Sequence, residues 1–264
     1  MINLLKADLF RVLRTKIVYI GLIVAVGLPL FMAGSYALTN VGLSPEEIDV
    51  MKEVYGNLLL TSTFSSLLSF SFVFAIFPVI VIMMDFGNGT IRNKIIHGYT
   101  RHQIYAAHFI ITLVYVLILT ALFAATSTAC AFLMFRVSEI DSSMLTSYVF
   151  YYIIGFAGTL ISASLGCCLA LSLANAGSII LTIVGKLLID NVNLLVVLAF
   201  TANGQGNSVA AKHVLSFLPS YVTSLIGQTV IEPAMFIEAL GGIFIISGAL
   251  YALGTFVFNK RDFK

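Results

Sequence analysis

SSMLTSYVFYYIIGFAGTLISASLGCCLALSLANAGSIILTIVG, residues 142–185, runs for 44 residues without one charged side chain. As a helix rising about 1.5 Å per residue it would measure about 66 Å, roughly twice the 30 Å of hydrocarbon in a bilayer. It must cross, turn and cross again. Asn175-Ala176-Gly177-Ser178 is the best place for the turn, because Asn and Gly favour a helix end and Ser178 can cap a new start. The same reasoning applies on either side. Lys16 and Glu46 enclose 29 uncharged residues, Glu53 and Asp85 enclose 31, and Arg101 and Arg136 enclose 34. A last apolar run closes the chain. The expected fold is all-α and embedded in a membrane, with six spans near 17–38, 58–84, 104–135, 148–174, 178–200 and 236–258.

Composition agrees with that outline. Of 264 residues, 59% are hydrophobic and 10% charged, with a mean hydropathy of +1.03, whereas a soluble domain carries charge on about a quarter of its residues. The spans leave no room for a separate catalytic domain, so residues 1–264 read as one transmembrane unit. Ten of the fourteen Lys and Arg residues fall before the first span, between the second and third, or after the last. An even number of spans puts all three places on one side, and the excess of basic residues names that side cytoplasmic. Both termini are therefore expected in the cytoplasm. No cleavable signal peptide is expected, since residues 1–16 carry five charges and the first apolar run is too long. Cys130, Cys167 and Cys168 fall within spans and read as packed thiols rather than disulfide partners.

Residues 1–16 have a helical pattern of their own. Ile2, Leu5, Leu9, Val12 and Leu13 share one face, with Asn3, Arg11 and Arg14 opposite, which suits a helix lying in the interface; a cytoplasmic extension of the first span is the alternative. On the outer side, Ser44-Pro45-Glu46-Glu47 is a capping box with proline at the first helical position, expected to start a short surface helix that ends at Gly56.

The cytoplasmic loop 85–103 is patterned too closely for a plain connector. Gly87 and Gly89 break the second span, Thr90 can cap a short helix, and Gly98 ends it. Ile91, Ile95 and Ile96 offer an apolar face beside Arg92 and Lys94, and Thr100-Arg101-His102-Gln103 is a second capping box that starts the third span. Such a knob is shaped to dock on another protein; a loop resting on lipid headgroups would use the same residues.

The run Gly89-Thr90-Ile91-Arg92-Asn93-Lys94-Ile95-Ile96, followed by Gly98, Thr100-Arg101 and Ile104-Tyr105, resembles the cytoplasmic loop of the permease subunits of type 2 ABC exporters. The resemblance is particularly to the small Gram-positive permeases that move or resist peptides. Over the rest of the chain the likeness is architectural: an interfacial amphipathic first helix, six spans, external re-entrant helices before the last span, and a basic tail. The resemblance implies a multi-pass plasma-membrane protein of a Gram-positive bacterium. It also implies a dimer of two permeases, each docking its coupling helix on a separate ATPase that binds ATP and Mg. Gly89, Thr90, Ile91, Arg92, Lys94, Gly98 and Arg101 would then face the ATPase or shape the loop, with Ile95 and Ile96 as the apolar contact. Implied cargo is hydrophobic or amphipathic: an antimicrobial peptide, a bacteriocin or a peptide toxin. No cofactor is expected in this chain, and no nucleic-acid partner.

Lys186 and Asp190 stand four residues apart on one face of the fifth span, close enough to pair, and Asn193 continues the polarity. Charges at that depth normally face a bundle interior or a water-filled cavity. The pair therefore reads as part of a dimer seam or translocation path, or as a neutral lock within the bundle. If the chain worked alone, the pair would be the coupling site of an ion-gradient-driven transporter. Residues 201–233 hold two apolar pieces too short to span, expected to re-enter from outside or to lie at the interface. The sequence lacks G-x-x-x-x-G-K-[ST], H-E-x-x-H and G-x-S-x-G, so ATPase activity is expected in a partner rather than here.

Overall fold

The computed structural model describes residues 2–39, 44–137, 142–202, 209–218, 221 and 232–261, without the side chains of 64, 65, 68–70, 142–145, 193, 200–202 and 209–211. Its elements are helices: α1 (Ile2–Leu13), α2 (Lys16–Leu38), α3 (Pro45–Gly87), α4 (Thr90–Ile96), α5 (Arg101–Met134), α6 (Ser142–Leu173), α7 (Gly177–Ala202), α8 (Val209–Ser216) and α9 (Pro233–Lys260). Among the described residues there is no strand. Five helices are long and apolar enough to cross a membrane: α2, α5 and α9 entire, and the parts of α6 and α7 at Thr146–Leu173 and Gly177–Ala199. A sixth is counted when the end of α3, Ser71–Gly87, is taken together with α4, which bends from it by 63°.

Helix boundaries follow local chemistry. Ser44 caps α3 and Thr100 caps α5, each in a complete capping box closed by Glu47 and Gln103. The break between α6 and α7 falls at Ala174, which adopts a left-handed φ of 52°, and the Ser178 hydroxyl donates to the Asn175 carbonyl at 2.8 Å. The turn is thus where the sequence put it, although the left-handed residue is Ala174 and α7 already begins at Gly177. One boundary is corrected outright. The outer surface helix does not end at Gly56; α3 runs unbroken for 43 residues, about 65 Å, from the outer face through the bundle. Gly56 serves there as a contact point, because a Cβ would overlap the Arg136 carbonyl, and the Arg136 amide donates to the Lys52 carbonyl at 3.2 Å. Tyr55, adjacent to Gly56, stacks on Tyr36 of α2 with ring centroids 5.1 Å apart.

Helices α3, α5 and α6 form the centre, with α2 packed on α5, α9 on α6, and α7 on α6 and α3. Hydroxyls tie the centre together: Thr63 with Ser127, Thr128 with Tyr152, Ser71 with Ser162 at 2.6 Å, and Tyr115 donating to the Val18 carbonyl at 2.9 Å. In a membrane bundle, where lipid is as apolar as leucine, small residues and such hydrogen bonds hold helices together. Cys130 and Cys167 are buried and Cys168 half-buried, all three as free thiols.

Within 201–233 the described residues show α8, seated against α9. The Phe217 backbone fills the space a side chain at Gly242 would need, Leu215 is buried, and His213 pairs with Glu238 at 2.8 Å. The second apolar piece, 221–231, lies outside the described residues except for Tyr221, as do 203–208 and 262–264.

Candidate functional site

The loop that joins α3 to α5 folds as a knob. Gly89, at φ +66°, turns the chain out of α3 and stands as the N-cap of α4. Thr90 is therefore the first helical residue and not the cap. At the other end Gly98, at φ +84°, completes a Schellman motif: its amide donates to the Ile95 carbonyl at 3.0 Å, and that of Tyr99 to the Lys94 carbonyl at 3.2 Å. Both glycines occupy conformations that cost other residues about 1–2 kcal/mol.

Inner and outer faces of α4 differ sharply. Ile91 is buried and Ile95 partly so, packed with Val79, Ile82, Ile104, Tyr105 and Phe258. Lys94, expected to face the ATPase or to shape the loop, is also buried. Its ammonium donates to Asp8 Oδ2 of α1 at 2.7 Å and to His108 Nε2 of α5 at 3.2 Å. Asp8 also pairs with Arg11 at 3.3 Å, Arg11 bonds Asp85 at the end of α3, and Asp85 stands 3.7 Å from His108. Four helices are thus joined by a chain of alternating charge. Since an ammonium has no acceptor, His108 must present a bare Nε2 and carry its proton on Nδ1, so it adds no charge. The two acids and two bases then cancel. Burial pushes the Lys94 pKa below the ordinary lysine value, and the Asp8 carboxylate pulls it part of the way back.

What remains outward on the knob is Arg92, Asn93, Ile96 and His97, with Ile96 72% exposed. The expected apolar pair is accordingly split: Ile95 turns inward and Ile96, about 100° further round the helix, outward. Arg101 is not on the knob's face. Its guanidinium donates to the Asn259 carbonyl and, at 2.7 Å, to that of Arg261. Arg261 in turn caps the end of α6 by donating to the carbonyls of Leu171 at 3.1 Å and Ser172 at 2.8 Å, and it lies over the Phe86 ring. The start of α5 is thereby bound to the chain's basic tail.

Sequence reasoning missed Asp8, Asp85 and His108 as members of one site. On α1 the buried stripe is Leu4–Asp8–Val12, while Ile2, Leu9 and Leu13, expected on the apolar face of an interfacial helix, are exposed. An aspartate repeating at i, i+4 with two buried apolar residues was the available signal.

Lys186 and Asp190 do pair, the ammonium donating to both carboxylate oxygens at 2.6 and 2.7 Å. Lys186 is 1% exposed and Asp190 27%. Asn191 bonds back to the Leu187 carbonyl at 2.7 Å, and the Asn193 side chain lies outside the described residues. Among the described residues no group of three or more His, Cys, Asp or Glu is arranged to hold a metal ion.

A family model described as "ABC-2 family transporter protein" matches residues 4–189, more than half of the chain, from α1 into α7. No curated protein and no solved structure matches it.

Proposed function

The chain belongs to the ABC-2 transporter family, as the multi-pass permease of an ABC exporter that works with an ATPase partner, and we propose that α4 is the surface on which that ATPase docks. The observation that carries this reading is the two-sided construction of α4. Its inner face is fixed by apolar packing and by the Asp8–Lys94 pair, while Arg92, Ile96 and His97 stand free of the bundle. An apolar side chain exposed on a rigid, positively flanked turn is an efficient contact, worth roughly 1–2 kcal/mol when covered. On this reading ATP and Mg are bound by the partner, this chain carries no catalytic residue, both termini are cytoplasmic, and the membrane is the plasma membrane of a Gram-positive bacterium. Cargo is hydrophobic or amphipathic, with peptides such as antimicrobial peptides and bacteriocins the first class to try, since the spans offer few fixed charges to hold a hydrophilic one.

A second permease completes the assembly. Helix α7 is the least enclosed of the candidate spans, and it carries a partly exposed Asp190 beside an exposed Asn191. Polar groups uncovered at membrane depth are costly, which favours α7 as the seam between two copies.

The test is purification of the tagged chain in mild detergent with identification of what accompanies it. Wild type and Ile95→Val should bring an ATPase, and Arg92→Glu/Ile96→Glu should lose it while keeping the thermal stability of the wild type. Retention of the ATPase by the doubly charged variant would place the docking surface elsewhere.

A further inference from the structure

Beside the charge cluster, α1 and α5 leave a groove of about 260 Å³ between them, lined by Ile2, Leu5, Leu9, Ile110, Ile111 and Val114, with Lys6 at its edge. The walls are hydrocarbon, and several remain open to the surroundings: Ile2, Leu9, Ile110 and Val114 are 69, 44, 37 and 42% exposed. A cavity of this kind holds no ordered water, because it offers water no partners.

Charge sits at the rim alone, and it is unspent. The other charges of the first helix and its C-terminal end are engaged, Asp8 and Arg11 in the cluster and Arg14 over the Phe10 ring at 4.1 Å. Lys6 is exposed and has no hydrogen-bonding or ionic partner among the described residues.

The groove also lies at a telling depth. As a 34-residue helix, α5 is about 51 Å long, some 20 Å more than the hydrocarbon it crosses. The surplus belongs largely to the end that carries Arg101, His102, Gln103 and the buried His108. Residues 110–114, about 13–20 Å from that end, therefore stand where hydrocarbon begins. Acyl chain lies to one side of the groove and headgroups to the other.

We propose that this groove binds an anionic phospholipid, one acyl chain lying between α1 and α5 and the phosphate resting on Lys6. The occupant must be apolar along the walls and anionic at the rim, and a bilayer supplies such a molecule at this depth. A single cation near the surface favours acidic lipid by about 1 kcal/mol, or about fivefold.

The chain contains no tryptophan, so one introduced indole reports on its own surroundings. The full-length variants Ile110→Trp and Ile2→Trp, on opposite lips of the groove, are reconstituted into vesicles of dioleoyl lipids. Quenching by dibrominated phosphatidylglycerol is compared with quenching by dibrominated phosphatidylcholine at equal mole fraction. Both reporters should show an apparent preference of about fivefold for the anionic lipid, and adding Lys6→Gln should bring it to unity. Phe31→Trp, on the exposed face of α2, should show little preference. Equal quenching by the two lipids in the groove, or a preference that survives Lys6→Gln, would overturn the proposal. Both lipids are present in both leaflets, so the outcome does not depend on which way the chain is inserted.

Discussion

Replacing Asp8 with asparagine would strand the Lys94 ammonium in a site that excludes water. The two charges stand 2.7 Å apart, which at an effective dielectric of about 20 corresponds to a gross attraction of about 6 kcal/mol. Desolvation of the two ions offsets most of that, so the intact pair adds little net stability, but breaking such a pair costs about 3–5 kcal/mol. Loss of the proton is the escape. From an ordinary lysine pKa of about 10.4, it costs at most about 4.6 kcal/mol at pH 7. Because the contact with His108 survives, we expect about 3 kcal/mol, or a melting temperature about 6–12 °C lower in mild detergent. The pH dependence has a definite sign. In Asp8→Asn the folded-state pKa of Lys94 falls further below its unfolded value, so the unfolded chain binds more protons and stability rises with pH. The deficit against wild type should accordingly shrink from pH 7 toward pH 9. Asp8→Asn/Lys94→Met restores neutrality with Arg11 and Asp85 still paired, and should return to within about 1 kcal/mol of wild type. A single variant that melts within about 2 °C of wild type, or a double variant no better than the single, would refute the claim that the pair is buried and coupled.

Further outcomes follow from other contacts. Gly98→Ala forces a left-handed φ of +84° on a residue with a Cβ and should cost about 1–2 kcal/mol, read as a lower melting temperature and weaker ATPase recovery. Lys186→Met/Asp190→Leu removes both members of the pair; if the pair is a neutral lock, ATP-dependent export by the reconstituted complex persists, whereas loss of export with the fold intact would make the pair part of the path. Thr100→Ala removes the capping box of α5 and should cost about 1 kcal/mol in thermal stability, with Thr100→Ser recovering most of it.

Spans and helix starts could be read from the chain because their causes are local. Hydrocarbon thickness sets the length of a run, and a cap needs only residues three apart, as at Ser44 and Thr100. The unbroken α3 was not readable, because a helical glycine looks like a stop until the Arg136 backbone that fills its missing side chain is in place. The site was readable in outline only. Gly98 announces the end of α4 from its own conformation, but Asp8 and Lys94 are 86 residues apart, and nothing near either one names the other. From the sequence Lys94 can face outward or shape the loop, because a lysine near an arginine in a cytoplasmic loop ordinarily is solvated. A carboxylate on α1 reverses that, together with the accepting Nε2 of a histidine on α5.

That reversal determines how a push on the knob can travel. A seven-residue helix has no stability of its own, since nucleation is unfavourable and too few bonds follow to repay it. The rigidity of α4 is therefore borrowed from what holds its inner face: the apolar packing of Ile91 and Ile95 against α3, α5 and the end of α9, and the charge chain that reaches α1. α1 is joined to α2 by the two-residue turn Arg14-Thr15, in which the Thr15 amide bonds the Val12 carbonyl of α1 at 2.9 Å. A displacement of the outer face thus reaches α1, α3 and α5 together, and α2 through α1, so long as the Asp8–Lys94 pair holds. Asp8→Asn should then lower ATP-driven export even at temperatures where its fold and its bound ATPase are retained, and Asp8→Asn/Lys94→Met, which restores stability without restoring the link, should export no better. Full export by that stable, unlinked variant would show that apolar packing alone carries the motion.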